Sequence, residues 1–149
     1  MSKTNVRNYT SSVPPAKSQA AIEQLLVQAG ATTVSKFYDE AKRCSGFFFQ
    51  LSVNGQLLAF KLPVNTDQVY QAFIRRATRL DSAKRQALRN QAERTAWRTL
   101  HEWAQIQLDM IALGQVDPLQ VLLGYQFNQT TQTTLYERVQ GSNLTLLNP

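Results

Sequence analysis

The stretch FFFQLSVNGQLLAFKLP, residues 47–63, decides the fold class. Asn54-Gly55 is the dipeptide that best tolerates positive φ at both central positions of a tight hairpin turn, and apolar residues alternate on either side of it. A two-residue turn pairs 53 with 56, 51 with 58, 49 with 60 and 47 with 62. Those pairings bring Leu51 to Leu58, Phe49 to Phe60 and Phe47 to Leu62, so turn register and side-chain pattern agree. The other face carries Phe48, Gln50, Ser52, Leu57, Ala59 and Lys61 and is much less apolar. Pro63 stops the second strand, because proline cannot donate to a ladder.

Working outward, residues 32–38 read as a third strand and 39–46 as its connection to the hairpin. Upstream, Pro14-Pro15 opens a helix patterned by Ile22, Leu25, Leu26 and Ala29, and Gly30 is placed to end it. Residues 1–13 are polar and unpatterned, which predicts an arm that is flexible or ordered by a partner. Downstream, Asn65 or Thr66 caps a helix with Val69, Tyr70, Phe73, Ile74 and Ala77 on one arc, and Arg75, Arg76 and Arg79 on the opposite one. Asp81-Ser82 then caps a long helix that runs to about Leu113 and ends at Gly114. Asp117-Pro118 starts a short helix, residues 128–134 read as a Gln- and Thr-rich loop, and residues 134–140 read as a last short helix. The expected fold is α+β: an N-terminal helix, a three-stranded antiparallel sheet with an Asn-Gly hairpin, then a long helix and short helices. Residues 14–149 are expected to form a single domain, and 149 residues can bury a core without staples.

Charge is concentrated. The whole chain carries a net +6, and residues 75–98 alone carry the same excess. That segment holds Arg75, Arg76, Arg79, Lys84, Arg85, Arg89, Arg94 and Arg98 against Asp81 and Glu93. Arginine suits bidentate phosphate contact, so these eight residues are the candidate nucleic-acid-binding set. The competing reading is an ordinary solvated face. Asp81 with Arg85, and Glu93 with Arg89, have the helical spacing for ion pairs. On the long helix, Arg94, Arg98 and His101 fall opposite the apolar stripe and are expected to face solvent. Arg85 and Arg89 share the azimuth of the stripe and are expected at an overhang beside the core, since an unpaired buried charge is too costly.

No catalytic constellation is visible. His101 is the only histidine, and Cys44 is the only cysteine, without a histidine near it in sequence. Neither Asp39-Glu40 nor Asp109 with Asp117 has metal-ligand spacing, and no glycine-rich phosphate loop is present. The expectation is a protein that is not an enzyme, with no metal and no cofactor. Phe47, Phe49, Phe60, Trp97 and Trp103 are assigned to the core. Phe48 and Lys61 are cross-strand neighbours on the weaker face. They would either clamp a nucleic-acid base or lie beneath another helix. A polar N-terminus, one cysteine and no long apolar run lead to the expectation of a cytoplasmic protein without a membrane partner. Composition does not determine oligomeric state.

The residues 91–123, with Ala96-Trp97-Arg98, the run to Gly114 and Asp117 opening a short helix, carry a resemblance. So do Lys61-Leu62-Pro63 and the terminal Leu147-Asn148-Pro149. The chain resembles a widespread group of small proteins of phages and mobile elements that has no settled activity. Its Leu-Leu-Asn-Pro ending departs from the simpler Leu-Leu-Pro of that group. The resemblance implies a phage or mobile-element origin and supplies no site residues. Two functional classes follow from the residues. One is a non-enzymatic nucleic-acid-binding accessory protein contacting the phosphate backbone. The other is a protein-interaction module, a subunit of an assembly or an inhibitor of a host protein, whose arginines meet an acidic protein surface.

Overall fold

The hairpin forms in the expected register. In the computed structural model, which describes residues 6–149, β2 (Cys44–Val53) pairs antiparallel with β3 (Gln56–Pro63), with Val53 opposite Gln56, Leu51 opposite Leu58, Phe49 opposite Phe60 and Phe47 opposite Leu62. Asn54 and Gly55 both have positive φ, +52° and +80°, as the mirror-image turn requires. The third strand, β1 (Thr33–Tyr38), adds to β2, giving a sheet in the order β1-β2-β3. Phe47, Phe49, Leu51, Val53, Phe60 and Leu62 are buried, whereas Phe48 on the other face is half-buried.

One glycine is essential to how β1 joins the sheet. Gly46 has φ +153°, and a Cβ there would lie 2.3 Å from the Leu62 carbonyl oxygen and 2.5 Å from Cζ of Phe37. The pairing of β1 with β2 shifts by one residue between Phe37 and Tyr38, beside this point. Absence of a side chain at 46 lets the Phe37 ring cross the strand.

The helices begin and end where their caps dictate. α1 spans Pro15–Gln28, and Gly30 follows with φ +98°. α2 (Thr66–Arg76) is capped by Asn65, whose side chain accepts from the Gln68 N–H. α3 (Ser82–Ala112) is preceded by Asp81, whose carboxylate accepts from the Lys84 N–H at 2.7 Å. At its far end Gly114, φ +74°, bonds back to Ile111, and Gln115 bonds back to Met110. α4 (Pro118–Leu122) and α5 (Leu135–Gly141) each start with a full capping box, Asp117 with Gln120 and Thr134 with Glu137. The Glu137 carboxyl is held below its ordinary pKa, chiefly by the N–H of Thr134.

Residues 128–134 are more ordered than a loop. β4 (Phe127–Asn128) pairs with β5 (Thr133–Thr134) as a second, two-stranded sheet. The Asn128 side chain accepts from the N–H groups of Thr130 and Thr131, at 2.9 and 3.1 Å, and Gln132 takes φ +59°. These side-chain bonds replace backbone ladder bonds and close the turn.

The protein is α+β, and the described residues fall into two compact units, 6–24 with 64–106 and 25–63 with 107–149. The first contains a hydrophobic cluster of Tyr70, Phe73 and Ala92, with Val69, Ile74 and Leu88 packed on it. The second contains the two sheets, α4 and α5. Among the described residues no helix is long and apolar enough to cross a membrane.

Candidate nucleic-acid interface

The eight basic residues chosen from the sequence divide into two groups. Arg75, Arg76, Arg79, Lys84 and Arg85 are exposed, whereas Arg89, Arg94 and Arg98 are half-buried and engaged within the protein. The division follows from where the helices stop and what lies on them.

Arg75 and Arg76 lie in the last turn of α2, both exposed. Cations there also suit the negative end of the helix dipole. Arg79 is not on that helix, contrary to the arc drawn for it. Ala77 turns extended, with φ −80° and ψ 142°, so α2 ends and the chain redirects into the cap at Asp81. Arg79 therefore stands in the connection, and Lys84 and Arg85 follow in the first turn of α3. The expected pairing of Asp81 with Arg85 gives way to capping, because the carboxylate accepts from the Lys84 N–H. Between residues 75 and 85 the sequence holds five exposed cations and one acid, Asp81.

Arg89 sits at the edge of the hydrophobic cluster. Its guanidinium carbon lies 4.0 Å from the centre of the Tyr70 ring, and its Nη1 is 3.6 Å from Asp67. The acid it meets is on α2 rather than at Glu93 along its own helix. Both contacts are modest, since the Asp67 carboxylate is mostly exposed.

Arg94 and Arg98 do not simply face solvent. Residues 7–11 of the expected arm lie along α3 and bond to that face. Arg94 donates to the Ser11 carbonyl at 3.1 Å and to Gln91 Oε1 at 2.6 Å. Thr95, buried, donates from its hydroxyl to the Asn8 carbonyl at 2.7 Å. Arg98 and Arg7 share the Glu102 carboxylate, which also accepts from Asn8 Nδ2. The hydrogen bond from Arg7 is the main reason that the Glu102 carboxyl is held below its ordinary pKa, with burial opposing it. Tyr9 meets Phe73 edge to face at 5.2 Å. Residues 1–5 of the arm lie outside the described residues.

His101 is half-buried with Nδ1 3.3 Å from Arg98 Nη1. Burial first, and Arg98 second, push its pKa down, which favours neutral imidazole. The Cys44 thiol is half-buried, 3.7 Å from the Gly46 carbonyl. Among the described residues no three of His, Cys, Asp and Glu are grouped to hold a metal ion.

Phe48 and Lys61 are cross-strand neighbours, as the register demands. The Lys61 ammonium lies over the Phe37 ring at 4.9 Å and at 5.7 Å from the Phe48 centroid. Phe48 also touches Phe37 and Phe127, with ring centroids 4.9 and 5.2 Å apart. Phe48 thus lies against the strand β4 and not beneath a helix, which corrects that alternative. Comparison of the chain with protein-family models, curated proteins and solved structures returns no match.

Proposed function

We propose that the chain is a non-enzymatic nucleic-acid-binding accessory protein of a phage or mobile element. It contacts phosphates through Arg75, Arg76, Arg79, Lys84 and Arg85. The observation that carries this reading is the exposure of five cations from the last turn of α2 through the first turn of α3, a stretch that holds one acid. Such a surface attracts a polyanion through counterion release and positions it without reading bases. Arg89, Arg94 and Arg98 support the scaffold rather than the contact, because their guanidiniums already meet Tyr70, Ser11 and Glu102.

Filter binding of duplex and single-stranded nucleic acid against salt tests the reading. Phosphate contact gives an affinity that falls steeply and linearly on a log–log plot. Weak binding with no salt slope would reject it. Loss of a protein partner on substitution of these same arginines would place the surface against acidic protein instead.

A further inference from the structure

The weaker face of the three-stranded sheet is not filled by its own side chains. Thr33, Ser35, Gln50 and Ala59, which line it, are small or polar. Gln129 and Gln132, on the β4–β5 turn, border an open pocket of about 460 Å3 there, with Phe48 and Phe127 as aromatic walls. That volume is in the ordinary range for small-ligand sites, about 300–1,000 Å3. The wall is held in place: Asn128 bonds the N–H groups of Thr130 and Thr131, and Gln132 Nε2 donates to the Gln129 carbonyl at 2.6 Å.

No charged side chain lines the pocket. A metal ion would find no carboxylate in this lining, and the neighbouring Lys61 ammonium lies over the Phe37 and Phe48 rings, so a neutral occupant suits the lining. Primary amides present a donor and an acceptor in one plane, which matches the edge of a nucleobase, and a phenyl ring offers the base an apolar contact. We propose that this pocket takes one unpaired nucleobase. The proposal rests on the nucleic-acid reading above for the source of the base. It adds to that reading a contact that double-stranded nucleic acid cannot make.

Nuclear magnetic resonance on the full chain tests it. The side-chain amide signals of Gln50, Gln129 and Gln132 are followed while free adenosine, cytidine, uridine or thymidine is added, with glucose as the comparison. Saturable shifts with at least one nucleoside, absent with glucose, are expected. Ala59→Leu, which fills the floor, should abolish them. Gln50→Ala should weaken binding of a short single strand about tenfold while leaving duplex affinity unchanged. If Ala59→Leu unfolds, Gln50→Ala carries the test alone, since the Gln50 side-chain amide makes no hydrogen bond among the described residues. Amides that respond to glucose but to no nucleoside overturn the proposal, as do shifts that survive in a folded Ala59→Leu variant. A flat salt slope on duplex would reject the phosphate surface alone, and nucleoside shifts report on the pocket regardless of it.

Discussion

Replacing Arg75, Arg76 and Arg79 together with Gln is the perturbation that most directly probes the proposed surface. If all five exposed cations neutralise phosphates on duplex DNA, the log–log salt slope is about −4.5, at about −0.9 per contact. Raising salt from 50 to 200 mM then weakens binding roughly 500-fold. The triple variant keeps Lys84 and Arg85, so its slope falls to about −1.8 and the same change in salt costs only about 12-fold. Stability should hold, because all three side chains are exposed and none packs in the Tyr70–Phe73 cluster. Each exposed site is expected to shift it by no more than about 0.5 kcal/mol. Arg94→Gln is the counterpart on the same segment. It loses the bond to the Ser11 carbonyl, lowering stability by about 1 kcal/mol while leaving the slope alone. Filter binding over a salt series and a denaturant melt of each variant read both quantities. A parent slope retained in a folded triple variant would refute the reasoning, because exposed charge would then not be the contact.

The fold makes further predictions. Gly46→Ala should destabilise the chain by about 2 kcal/mol or more, since the new methyl meets the Leu62 carbonyl and the Phe37 ring; a urea melt measures this. Thr134→Ala removes one half of the α5 capping box and should cost about 1 kcal/mol, read from the same melt. The Glu102 carboxyl is held below its ordinary 4.5 in the fold. The stability it contributes is therefore complete above that value and is lost as pH falls through the lower folded value. Melting temperature followed from neutral to acid pH should show this loss, and Glu102→Gln should flatten that part of the profile.

The hairpin, the length of α3 and its boundaries, and a last short helix near 134–140 were legible in the amino-acid sequence because each is enforced locally. A two-residue Asn-Gly turn and a side-chain period of two admit one register that buries Phe47, Phe49 and Leu51 together. Asp81 and Gly114 satisfy helix ends with groups only a few residues away. The β4–β5 hairpin was not legible, because Asn, Gln and Thr have no strong strand pattern and its closure depends on the Asn128 side chain. Nor was the end of α2, where a continued helical arc and an extended Ala77 read alike.

The candidate surface was half legible. Charge density along residues 75–98 can be counted, and helical periodicity assigns each arginine to an arc. Periodicity does not say what lies over an arc. Arg94 and Arg98 were withdrawn from the surface by Ser11, Asn8 and Arg7, which meet α3 across more than eighty positions of chain. Arg89 was claimed by Tyr70 and Asp67 from a neighbouring helix. The pocket beside Gln50 belongs wholly to tertiary structure, because unfilled space is set by how far neighbouring elements stand apart, and no single side chain encodes that distance.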